Sequence, residues 1–116
     1  MTYRVLVCGG RDYKNKQLVF EVLDDIHAES TIGMIIQGGA KGADLLAAQW
    51  TVEREIPCLR APAEWKTHGK AAGAIRNTWM LLEGKPDLVI AFPGGPGTAN
   101  MVKQAEYAGV KVLDLR

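Results

Sequence analysis

The chain is 116 residues long, 47% apolar and 23% charged, with a formal net charge of +1. That length holds one ordinary core, and the balance of apolar and charged residues excludes a disordered chain. The fourteen basic residues are scattered rather than massed, which argues against a nucleic-acid-binding face, and no apolar run approaches the roughly 20 residues that span a bilayer.

The opening Met1-Thr2-Tyr3-Arg4 passes at once into a strand-like run, without the basic start and apolar stretch of a secretion signal, so a cytoplasmic location is expected. Residues 4–8 form the first apolar, β-branched run. Leu18, Val19, Val22, Leu23 and Ile26 then repeat at helical spacing, with Asn15 placed as an N-cap. A second strand follows at 34–37, then a helical stripe of Ala43, Leu46, Ala47 and Trp50. The run at 58–61 is the weakest strand pattern. The third helix carries Ala72, Ile75, Trp79 and Leu82 as its apolar stripe, and Gly84 stands where a glycine C-cap belongs. Strand 88–92, the stripe Met101, Val102, Ala105 and Ala108 ending at Gly109, and strand 110–115 complete the chain. Strand and helix alternate four times before a final strand. This order predicts an α/β fold: about five parallel strands in a three-layer sandwich, with helices on both faces.

Three adjacent glycine pairs occur, at Gly9-Gly10, Gly38-Gly39 and Gly94-Gly95, each just after a predicted strand. All three therefore fall on the carboxyl edge of the sheet, where open α/β sheets bind their ligands. Main-chain amides at a helix start, with the positive end of its dipole, make an anion site. Gly94-Gly95-Pro96-Gly97-Thr98 leads into the fourth helix, where Thr98 is placed to cap the helix or to bond a phosphate oxygen. Gly38-Gly39-Ala40-Lys41-Gly42-Ala43-Asp44 does the same for the second helix. The plainer alternative is that these are only tight strand-to-helix turns. Neither G-x-G-x-x-G nor G-x-x-x-x-G-K-[ST] occurs.

Polar residues gather on the same edge. Arg11 and Lys41 are candidates to face a phosphate, with solvated surface charge as the alternative. Asp44 stands at a helix start, where it serves the dipole, accepts from a ribose hydroxyl or orders the loop. Periodicity alone makes Arg76 a surface residue, beside Asn77. His68 is a weak candidate for a general base, and His27 reads as a dipole partner at a helix end. Trp65 is placed either to stack on a base or to cover the core. Cys8 and Cys58 read as buried thiols. Neither a metal site nor a catalytic triad can be assembled from these spacings, and no cofactor is expected.

Taken together, Val7-Cys8-Gly9-Gly10-Arg11-Asp12-Tyr13, the 38–44 segment, Glu64-Trp65-Lys66-Thr67-His68-Gly69-Lys70-Ala71-Ala72-Gly73 with Ile75-Arg76-Asn77, and Pro93-Gly94-Gly95-Pro96-Gly97-Thr98 resemble the SLOG superfamily, in its small YspA-like, YpsA-related branch. The resemblance spans essentially the whole chain. It implies a single Rossmann-like domain over 1–116 that binds nucleotides or nucleotide-derived ligands at the glycine loops, frequently as a homodimer. The superfamily includes the Lonely-Guy phosphoribohydrolases and the DprA proteins. By that likeness Arg76 and Asn77 correspond to the Arg-Lys pair of the hydrolases, from which position 77 departs. The hydrolases read Pro-Gly-Gly-x-Gly-Thr-x-x-Glu, and here Met101 stands at the glutamate position. A thioether cannot take the carboxylate's part in cleaving an N-glycosidic bond, leaving Asp44 or Glu64 as substitutes.

The expected function is binding of a nucleotide or ADP-ribose-like, phosphate-bearing small molecule as a sensor or binding module. The expected contacts are Gly9, Gly10, Arg11, Gly38, Gly39, Lys41, Gly42, Asp44, Arg76, Asn77, Pro93, Gly94, Gly95, Gly97 and Thr98. The alternatives are hydrolysis of the N-glycosidic bond of a nucleoside monophosphate and a DprA-like association with nucleic acid.

Overall fold

Short aliphatic runs pair with one another because both of their faces are apolar and need cover. In the computed structural model, which describes residues 2–116 apart from the side chains of Trp65, Lys66 and Lys70, they form one five-stranded sheet. Its strands are β1 (Tyr3–Cys8), β2 (Ile32–Gln37), β3 (Cys58–Arg60), β4 (Leu88–Ala91) and β5 (Lys111–Asp114). All pairings are parallel, in the order β3-β2-β1-β4-β5. The chain thus begins at the centre, winds outward through β2 and β3, then returns to the other side of β1.

The connections are α1 (Lys16–Glu29), α2 (Ala43–Arg54), a short α3 (Trp65–His68) running through a 3-10 turn (Gly69–Ala71) into α4 (Ala72–Gly84), and α5 (Pro96–Tyr107). Asn15 caps α1, its side chain accepting from the Leu18 amide at 3.1 Å. Alternation along the strands divides the interior into two cores. Val5, Val7, Leu88 and Ile90 pack with Trp50, Leu23 and Phe92 on the α1–α2 side. Leu6, Cys8, Val89 and Ala91 pack with Met80, Met101 and Ala105 on the α4–α5 side. The result is the expected Rossmann-like sandwich.

Two sequence expectations are corrected. First, only Ala72 of the expected stripe on α4 is buried: Ile75, Trp79 and Leu82 are 44%, 45% and 66% exposed, and Asn77, Met80 and Gly84 are buried in their place. Gly84 ends α4 against Ile36, where a side chain would crowd the Ile36 methyls, and Lys85 takes the left-handed cap with φ 48°. Second, Cys58 is exposed because β3 is a three-residue edge strand, while Cys8 lies buried on central β1. Burial, aided by the Asp44 charge, pushes the Cys8 thiol up to about 12. His27 stands in the last turn of α1, at the helix end where it was expected. Its Nδ1 accepts from the Ile32 amide at 2.9 Å, tying the end of α1 to the start of β2.

Candidate functional site

Strand order reverses at β1, between β2 and β4, so the turns after these strands diverge to opposite faces and leave a crevice at their carboxyl ends. The turn after β1 is pinned on three sides at Gly10. Its amide donates to the Pro93 carbonyl at 2.9 Å, and its carbonyl accepts from Tyr13 at 3.2 Å and Ala43 at 3.3 Å. Gly42, at φ 77°, lies directly on that carbonyl, in a conformation and a space that no side chain would tolerate. The resulting cleft has a volume of about 1030 Å³.

All the residues expected at the site line this cleft except Gly42 and Pro93, which hold its walls together from behind. Arg11 and Lys41 are exposed on its lining. Asp12, Tyr13, Pro62, Ala63, Gly73 and Met80 also line it and were not anticipated. Tyr13 stacks at a tilt on Phe92, 5.3 Å between ring centres, a contact between two separate turns that no local pattern announces. The expectation for Trp65 concerns a side chain outside the described residues.

The first three amides of the second turn are already engaged. Gly38 and Ala40 donate to one oxygen of Asp44 at 3.1 and 3.3 Å, and Gly39 donates to the Gln37 side chain at 2.5 Å. Asp44 is buried at the first turn of α2, and of the roles open to it the geometry shows loop ordering. Burial raises its carboxyl to about 6, against the lowering pull of the Ala40 amide, the Arg76 charge and the Gly38 amide.

Arg76 is no ordinary surface residue. It is half-buried, with Nη1 donating to the Gly38 carbonyl at 3.0 Å and Nε to Asn77 Oδ1 at 3.0 Å. Asn77 is buried and donates to the Gly97 carbonyl and to Asn100 Oδ1, both at 3.1 Å, joining α4 to the start of α5. The guanidinium is therefore oriented by the fold before any ligand arrives.

The third turn is different in kind. Gly95 is the N-cap of α5, Pro96 occupies its first turn, and no side chain caps the helix. Thr98 lies buried within that first turn rather than at the cap. Side chains built at Gly95 and Gly97 would meet nothing within 4 Å, so this helix start faces open cleft. Gly94, by contrast, is enclosed by Thr98 and the turn after β1. An open helix end of this kind is a candidate anion site.

Met101 is wholly buried in the α4–α5 core, so the position aligned with the hydrolase glutamate does not reach the cleft. His68 and Glu64, with 3.9 Å between Nε2 and Oε2, stand on an adjoining compartment of about 430 Å³. Among the described residues no group of three or more His, Cys, Asp or Glu could hold a metal ion, and no helix is long and apolar enough to cross a membrane.

Residues 3–68 match the family described as YspA, cpYpsA-related SLOG. The gene 61 protein of Mycobacterium phage D29 is 36% identical over 120 residues, covering 96% of this chain and 94% of that protein. Two solved structures share the fold at 17% identity. They are the DNA processing protein DprA from Streptococcus pneumoniae (TM-score 0.77) and the Moco carrier protein from Chlamydomonas reinhardtii (TM-score 0.66). The chain is covered to 97% and 99% in these comparisons, but it spans half of the DprA chain and 76% of the carrier. The match over more than half its length, together with the phage relative, shows that this chain belongs to the YspA, cpYpsA-related SLOG family.

Proposed function

We propose that the chain is a nucleotide-binding domain that holds a phosphate-bearing, nucleotide-type small molecule in the 1030 Å³ cleft, with the phosphate at the start of α5 and beside Arg76. The observation that carries this reading is the third turn: an uncapped helix N-terminus, open at Gly95 and Gly97, within the same cleft as an arginine whose plane is already fixed. A helix dipole and exposed amides favour an anion, and guanidinium suits a phosphate's paired oxygens. The first two turns frame the ligand instead of cradling its charge, because the Gly10, Gly38, Gly39 and Ala40 amides already have partners.

A binding role is favoured over hydrolysis because Met101 is sealed in the core and Asp44 is engaged by two amides. The neighbours' names divide between a Moco carrier protein and a DNA processing protein. A net charge of +1 with dispersed cations favours a small ligand over DNA. Two unpaired cysteines fit a cytoplasmic setting. Association into a homodimer belongs to the same reading, supported by the exposure of Leu82 on α4, and light scattering tests it.

The test is calorimetric titration with nucleoside monophosphates and the matching nucleosides, followed by product analysis. Gly95→Asp places a carboxylate in open space at the anion site, so it should abolish nucleotide binding while leaving the circular dichroism spectrum unchanged. Unchanged affinity in that variant removes the third turn from the site. Release of free base replaces the binding reading with hydrolysis.

A further inference from the structure

The main cleft continues past Arg76. A second compartment of about 430 Å³ opens on its far side, and Pro62 and Arg76 line both spaces. This volume lies within the range of about 300–1,000 Å³ typical of small-molecule pockets. Its walls differ from those of the first. Ile75 and Trp79, one helical turn apart on α4, face Ala61 and Pro62, with Arg60 and Glu64 among the polar lining. The indole of Trp79 is 45% exposed there, although an aromatic ring of that size ordinarily gains from cover. Arg76 cannot swing away to merge or close the two spaces, because Gly38 and Asn77 hold two of its nitrogens.

We infer that this compartment is the base subsite, in which the planar ring of the nucleotide stacks on Trp79 while its phosphate lies across Arg76 at the start of α5. The inference rests on the phosphate reading above and adds what that reading lacks, a reason for the ligand to carry an aromatic base. Stacking requires only a flat ring, so the subsite accepts purines and pyrimidines and ranks them by ring area.

The whole chain is titrated calorimetrically with AMP, GMP, CMP and UMP, and with ribose 5-phosphate, which has the phosphate and sugar but no base. The wild type should bind the best of the four more tightly than ribose 5-phosphate. Trp79→Ala should weaken that nucleotide about fivefold or more, the lower end of base–aromatic stacking, and leave ribose 5-phosphate within about twofold. Trp79→Phe, which keeps a ring, should restore most of the loss. Both variants alter a half-exposed side chain, and thermal melts confirm that they fold. Equal losses for nucleotide and ribose 5-phosphate, or no loss for either, overturn the subsite. So does break-up of a dimer by Trp79→Ala with nucleotide affinity unchanged, since a second copy would then cover the indole. Ribose 5-phosphate binding that depends on Gly95 but gains nothing from a base overturns this inference alone. Nucleosides that bind through Trp79 while the phosphate adds nothing keep the subsite and overturn the phosphate reading.

Discussion

Gly94→Ala separates a glycine demanded by packing from one left free for a ligand. A methyl group at Gly94 would stand 2.6 Å from the Gly10 nitrogen and 2.9 Å from the Gly9 carbonyl carbon, and closer still to Thr98 Oγ1. The first two are backbone atoms, so relief requires the turn after β1 to move away from the turn after β4. That motion breaks the 2.9 Å bond from the Gly10 amide to Pro93. Overpacking costs about 1–3 kcal/mol and the broken hydrogen bond about 0.5–1.5 kcal/mol, so the variant should lose roughly 1.5–4.5 kcal/mol. Gly95→Ala is the control. Its methyl meets nothing within 4 Å and φ is −101°, so stability should change by no more than about 0.5 kcal/mol. Urea unfolding followed by circular dichroism measures both, and thermal melts should show a fall in Tm of roughly 6–18 °C for Gly94→Ala alone. Coincident urea midpoints for the two variants would refute the claim that the first and third turns are locked together at Gly94.

Asp44 sets a pH dependence of defined sign. Its folded carboxyl sits at about 6 against 3.8 unfolded, so the native chain holds a proton through this window that the unfolded chain has released. Stability should therefore fall by about 3 kcal/mol as pH rises from about 4 to 6, and Asp44→Asn should abolish that slope in chemical denaturation; a slope retained in the variant counts against it. Asp24 and Asp114, lowered by Arg54 and Arg116, act in the opposite sense and below this window. Asn77→Ala removes the donor shared by Gly97 and Asn100 and should cost about 1–3 kcal/mol in urea unfolding, so an unshifted midpoint would mean that α4 and α5 are held by packing alone. A chromogenic thiol reagent should label Cys58 but not Cys8 in the native chain and both in denaturant; rapid native labelling of Cys8 would contradict its burial.

The strands were legible because continuous aliphatic runs such as those of β1 and β4 have few other uses in a chain this short. The cleft's location was legible for a related reason: glycine pairs after parallel strands must share an edge. What hydrophobicity misread was α4. Its large apolar residues, Ile75, Trp79 and Leu82, looked like a core stripe, but the helix approaches β2 closely enough that small residues, Gly84 among them, occupy the contact. Asn77 is buried there because the α5 start presents a carbonyl that needs a donor, and that pairing spans 20 residues. The division of labour among the three turns was equally hidden. Whether an amide is open to a ligand depends on partners such as Asp44 and Pro93, and only the folded arrangement brings them within reach. Cys58 was misjudged for want of strand order, which makes β3 an edge.

Gly10 is the knot of this architecture, since its two main-chain groups tether the segments following β1 and β4 and the start of α2 to a single residue. A cleft fastened in this way resists relative motion of the turns after β1 and β4. A ligand of the proposed kind would enter by diffusion, with little chain entropy surrendered at these turns. The observed association rate should accordingly rise in proportion to ligand concentration in a single phase, with no slow isomerisation before or after capture. Evolution of a new preference in such a cleft would proceed by exchanging side chains on the lining, with the tethered main chain left as it is.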